Sequence, residues 1–221
     1  MNPAYFLTGT DTEIGKTFVT CALLHRARKL GIRAAGVKPV AAGTDARGRN
    51  EDVERIRAAN GITLTDAVIN PYCFAAPIAP HLAAAEEGRR IDFAPILAAC
   101  SAARAQAGLL IVEGVGGFRV PIDVDRDSAD LAVALGLPVI LVVGLRLGCI
   151  NHALLTAEAI ASRGLTLAGW VANTVDPDMA RIEQNIEALG ARLPGPLLGS
   201  LPRVPGGDPA AVADHLTLPA V

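Results

Sequence analysis

Nine residues near the start of the chain, GTDTEIGKT at Gly9–Thr17, restrict the possible folds more than any other stretch. They close an apolar run, AYFLTG (4–9), and lead into KTFVTCALLHRARKL (16–30), whose apolar residues recur at helical spacing until Gly31. A glycine-rich loop between a strand and a helix, ending Gly-Lys-Thr, is the form of a phosphate-binding loop. In such a loop the backbone N–H groups and the helix N-terminus face anionic phosphates, which the helix dipole also favours. Lys16 is expected to reach the β- and γ-phosphates, and the Thr17 hydroxyl to ligate Mg²⁺. A glycine turn beside an exposed lysine would match the letters but not this context. The loop still departs from the common form, with five residues between Gly9 and Gly15, two of them the acidic Asp11 and Glu13.

Strand and helix patterns go on alternating downstream. IRAAGVKPV (32–40), LLIVEG (109–114), PVILVVG (138–144), LAGWVAN (167–173) and PLLGSLP (196–202) read as strands. EDVERIRAAN (51–60), DFAPILAACSAARAQA (92–107), SADLAVAL (128–135), INHALLTAEAIASR (150–163) and MARIEQNIEAL (179–189) have helical spacing. This predicts an α/β fold of the P-loop NTPase type: a doubly wound, mostly parallel sheet with helices on both faces. No linker, charge block or repeat divides the chain, so residues 1–221 are expected to form a single domain. Ligands of such sheets bind at the carboxyl ends of the strands.

Those strand ends hold the candidate chemistry. Glu113 ends LLIV, where an acid beside a phosphate loop could face a metal ion. Mg²⁺ takes oxygen ligands, usually one or two carboxylates plus phosphate and water. Asp52 is a second candidate, although spacing does not separate it from Glu51 or Asp45. Gly114, Gly116 and Gly117, in EGVGGF, would let backbone approach a ligand closely; the spacing is not a dinucleotide fingerprint. Lys38, ahead of Pro39 in GVKPVAAG, would add a second cation near the loop to steady charge during phosphoryl transfer.

Composition narrows the function classes. Acidic and basic residues number 22 and 20, without a basic stripe, which argues against a nucleic-acid or anionic-membrane binder. The start, MNPAYFLTG, lacks the features of a signal peptide, and LPVILVVGL (137–145) is too short to span a bilayer. Cys21, Cys73, Cys100 and Cys149 are scattered, as expected of reduced thiols in a cytoplasmic protein rather than of a zinc site.

In order along the chain, GTDTEIGKT, GVKPVAAG, NEDVERI, NPYCF with APIAPH, VEGVGGF, PVILVVGLRLGCINHALLTAEAI, LAGWVANTV and PLLGSLP resemble dethiobiotin synthetase, a biotin-pathway ligase. The resemblance runs from about Tyr5 to Pro202. It implies an ATP- and Mg²⁺-dependent reaction of 7,8-diaminononanoate with CO₂ (or bicarbonate). A carbamate forms, is phosphorylated to a carbamic-phosphoric anhydride, and closes to the ureido ring with release of ADP and phosphate. It also implies a homodimer with substrate across the interface.

Residue by residue, the resemblance implies that Glu13, Ile14, Gly15, Lys16, Thr17 and Phe18 bind the ATP phosphates. Asp52, Glu113, Gly114, Val115 and Gly116 would lie beside them, with Thr17, Asp52 and Glu113 at magnesium. Lys38, Lys16 and Thr12 would be catalytic. Thr12, Lys38 and Ala42 would face the substrate, and Asn151 of the partner subunit would meet its carboxylate tail. Asn173, with Thr174, would read adenine against a wall of Pro202, Arg203 and Val204. Under this reading the loop is long because it serves two ligands, with Thr12 toward the diamine and Glu13 toward the magnesium region.

One position departs from the family: Ala42 stands where K-P-V-x-S-G has a serine whose hydroxyl contacts substrate. A neutral hydrogen bond is worth roughly 0.5–1.5 kcal/mol net, so weaker substrate binding is expected rather than loss of reaction. Two rival classes fit less well. Cobalamin-assembly amidases share a similar loop domain but carry an amidotransferase domain for which 221 residues are too few. Partition and septum-positioning ATPases begin their loop with a lysine, in K-G-G-x-G-K-[ST], and this loop has none.

Overall fold

The computed structural model describes residues 2–204 and 206–219. Among these, six strands form one parallel sheet: β1 (Ala4–Gly9), β2 (Ala34–Val37), β5 (Leu109–Glu113), β6 (Val139–Leu145), β7 (Leu167–Thr174) and β8 (Leu197–Leu201). Their spatial order is β2-β5-β1-β6-β7-β8. Two short strands, β3 (Val40–Ala42) and β4 (Tyr72–Phe74), pair separately beside it. The expected strand 32–40 is therefore two strands. Pro39 cannot donate to a ladder, and the chain leaves the main sheet after Val37 to re-pair from Val40 onward.

Period-two alternation places successive side chains on opposite faces. Ala4 and Phe6 of β1 join one core cluster, Tyr5 and Leu7 the other. Helices α5 (Phe93–Gln106), α6 (Ser128–Leu135) and α7 (Cys149–Ser162) cover the first face through Ile96, Leu131 and Ile160. On the second face lie α1 (Lys16–Lys29) and α2 (Glu51–Ala59), through Leu23, Leu24 and Ile56. Phe6 and Trp170 are fully buried, and side chains of this size contribute about 1.5–3 kcal/mol each. Two short helices, α3 (Asp66–Ile69) and α4 (Pro80–Glu86), occupy the proline-rich passage that has no helical pattern in the sequence; α8 (Ile182–Gly190) precedes β8.

Two details of this fold position the site. The register Val37↔Val112 sets Lys38, one residue past β2, beside Glu113 at the end of β5. Leu7↔Glu113 then brings the loop after β1 to the same edge. At the head of α2, the Asn50 side chain accepts from Val53 N–H at 3.2 Å, and its amide donates to the Gly43 carbonyl at 2.7 Å. The helix start is thereby tied to the end of β3.

Candidate active site

The loop between β1 and α1 is held by its backbone. Glu13 and Gly15 both adopt positive φ, 58° and 82°. A side chain on Gly15 would also strike the Asn173 amide nitrogen, 2.3 Å from a Cβ built there. Ile14 is buried, so it anchors the loop to the core, and its carbonyl accepts from Asn173 Nδ2 at 2.8 Å. Lys16 donates to the Asp11 carbonyl at 2.9 Å. Burial pushes the Lys16 ammonium down to about 8, with Glu113 opposing that shift.

Asp11, whose role the sequence leaves open, accepts from Thr12 N–H at 2.8 Å through one carboxylate oxygen and pairs with Arg146 through the other. The loop is thereby joined to the segment after β6.

Below the loop lies a polar cluster. Glu113 is fully buried and accepts from the hydroxyls of Thr17 (2.6 Å) and Thr20 (2.7 Å) and from the Lys38 ammonium (2.9 Å). Lys38 also donates to Asp52. Burial works against the charged Lys38, but Glu113 and Asp52 outweigh it and hold its pKa above the ordinary lysine value. Burial likewise disfavours the charged Asp52, and Lys38 outweighs it, so its carboxyl titrates below the usual range. The structure also separates the three acids that spacing could not: Asp52 pairs with Lys38, whereas Glu51 pairs with Arg55 and Asp45 with Arg49.

A cleft of about 830 Å³ opens above the cluster. Thr12, Glu13, Gly15, Lys16, Thr17 and Phe18 form its loop side. Lys38, Asp52, Ala42, Val115 and Gly116 also line it. Gly116 has φ 61° and a Cβ there would crowd Val120, whereas a Cβ on Gly114 would meet Phe6 at 2.9 Å. The smallness of Gly114 thus serves core packing. A second cavity, about 260 Å³, is walled by Asn173, Thr174, Pro202, Arg203 and Val204, and shares Glu13, Gly15 and Phe18 with the first. Asn151, exposed on α7, lines neither cavity.

Sequence reasoning missed Thr20, Arg55 and the wall Pro77–Pro80. Thr20 had a signal, since it lies three residues after Thr17 on the same helix face. The proline wall had only the match in APIAPH, without a role.

The donors fit a hard cation. A hydroxyl and two carboxylates offer oxygen only, and the Lys38 ammonium already sits among them. No group of three or more His, Cys, Asp or Glu able to hold a metal occurs among the described residues. Mg²⁺ needs only one or two carboxylates from the protein, since phosphate and water complete its shell.

Residues 3–211 match the AAA domain family. The chain is 61% identical to the ATP-dependent dethiobiotin synthetase BioD of Aromatoleum aromaticum, over 98% of this chain and 97% of that protein. It is 53% identical to the protein of that name from Ralstonia nicotianae, over 96% and 94%. Solved structures with a similar fold include the MinC:MinD cell division complex of Aquifex aeolicus. There the TM-score is 0.59 at 14% identity, covering 96% of this chain and 89% of that one. Another is the septum site-determining protein MinD with Mg-ADP from Pyrococcus horikoshii OT3, with TM-score 0.57, 14% identity and the same coverage. At these identities the structural neighbours speak for the fold alone, while the two synthetases match nearly end to end: the chain belongs to the dethiobiotin synthetase family.

Proposed function

We infer that the chain uses Mg-ATP to carboxylate 7,8-diaminononanoate with CO₂ and close the ureido ring of dethiobiotin, through a carbamate and a carbamic-phosphoric anhydride. The observation that supports this reading best is the Lys38–Glu113–Thr17–Asp52 cluster at the floor of a cleft walled by a phosphate loop. It joins oxygen donors for a metal to a cation for phosphoryl transfer, in a space with room for two ligands.

The loop N–H groups and the start of α1 bind the phosphates. Lys16 leaves the Asp11 carbonyl to reach them. Thr17, Asp52 and Glu113 would hold magnesium, which would supply neutralisation of phosphate charge. Lys38 steadies the charge that builds on the transferring phosphoryl group and the carbamate. Thr12 faces the diamine, with Ala42 and the proline wall lining the same cleft. Asn173, Thr174, Pro202, Arg203 and Val204 hold the base in the second cavity, so the nucleotide runs past Gly15 and Phe18 into the first.

The working state is a homodimer in which Asn151 of the partner subunit reaches the substrate tail. Leu147, 95% exposed just before α7, and Leu155, 57% exposed on it, supply apolar surface for that contact. A cytoplasmic setting and a single folded unit over residues 1–221 complete the proposal. The free thiols accord with that setting, and no described helix is long and apolar enough to cross a membrane.

The test is phosphate release from Mg-ATP with diaminononanoate or bicarbonate omitted in turn. Release that needs both, with a product one CO₂ heavier and one water lighter, is expected. Release indifferent to both would refute the synthetase reading.

A further inference from the structure

We propose that Arg55 is a phosphate ligand of the bound nucleotide, drawn onto the phosphate chain from a resting ion pair with Glu51. The proposal rests on the nucleotide reading of the cleft and adds a residue to it. Arg55 lies three residues after Asp52 on α2, and residues so spaced share a helix face. Its side chain lines the large cleft together with Thr17 and Phe18, at the end of the phosphate loop.

The charges around the cleft leave Arg55 available for this role. The Lys38 ammonium is held by Glu113 and Asp52. Lys16 rests on the Asp11 carbonyl and turns to the phosphates when nucleotide binds, so Arg55 would add to it rather than replace it. Among the described residues Arg55 is ion-paired with Glu51, its Nη2 2.6 Å from Oε1, with the two side chains 52% and 76% exposed. A pair that open to water is weak and easily exchanged.

A guanidinium stays charged at every working pH, and its planar fork matches two phosphate oxygens. Glu51 lies one turn back along α2, and the ion pair holds Arg55 until a phosphate competes for it.

Calorimetric titration with the Mg-bound β,γ-imido analogue of ATP distinguishes this role from a helix-surface pair. Wild-type protein, Arg55→Ala, Arg55→Lys and Glu51→Gln are compared, with thermal unfolding as the control for folding. Expected are a loss of affinity of about tenfold or more in Arg55→Ala, in the range of a charged hydrogen bond, and a smaller loss in Arg55→Lys. Glu51→Gln should bind as tightly as wild type or tighter. An Arg55→Ala affinity within about threefold of wild type would overturn the proposal, as would equal losses in Arg55→Ala and Glu51→Gln. Failure of wild-type protein to bind the analogue would instead refute the nucleotide reading itself.

Discussion

Lys38 has two roles that a substitution can separate. It neutralises Glu113 and Asp52 in the ligand-free cluster, and it is the proposed cation at the reacting groups. In Lys38→Ala, Glu113 keeps its two threonine hydroxyls, and magnesium can answer both carboxylates. Nucleotide affinity is therefore expected to change little while product formation falls by about 10²–10³ or more, the usual cost of losing a preorganised charge donor. Turnover close to wild type in that variant would remove Lys38 from the chemistry. Lys16 makes a different prediction, because burial sets its pKa at about 8, below its ordinary value. Between about 8 and the unfolded-chain value of 10.5, the unfolded state binds more protons, so this residue makes stability rise with pH there. Phosphates favour the protonated lysine, so analogue affinity should be level below about pH 8 and weaken above it, by up to about tenfold per unit. A flat binding profile between pH 7 and 9.5 would contradict that account.

At the scale of an element, Asn50 links two pieces of the site. It caps α2, which presents Asp52 and Arg55, and it holds the carbonyl of Gly43 beside Ala42. Asn50→Ala removes a cap worth about 1 kcal/mol and leaves a carbonyl without its donor. A loss of about 1–2 kcal/mol in urea unfolding is expected, together with weaker activity as Asp52 loses its fixed approach to Lys38. Loss of stability without loss of activity would show that Asp52 is aimed by Lys38 alone. The sequence announces α2 through its periodicity, but not which of its acids faces inward. Glu51 and Asp52 point about 100° apart around α2, so which of them meets Lys38 depends on how the capped helix is seated against the sheet.

For the whole molecule, the apolar surface around Leu147 is the testable feature. Leu147→Glu should shift the proposed homodimer toward monomer in sedimentation velocity, and lower activity by withdrawing the residue proposed to reach the substrate tail, Asn151 of the partner subunit. A wild-type chain that remains monomeric at tens of micromolar would dismiss the homodimer.

The sequence by itself determined the strand–loop–helix unit, because Gly-Lys-Thr, the flanking apolar strand and the helical spacing are local and mutually consistent. It also determined the alternating α/β pattern and the placing of Glu113 at a strand end. Only the tertiary structure decided what meets at the site. Lys38 and Glu113 lie 75 residues apart, and Asn173 and Ile14 lie 159 apart. Their contacts follow from the order β2-β5-β1-β6-β7-β8, which makes neighbours of strands distant in the chain. The sharing of Glu113 among Thr17, Thr20 and Lys38, the pairing of Asp11 with Arg146, and the opening of the cleft to Arg55 all depend on that order. Periodicity records which side of a strand is buried, but not which strand lies beside it.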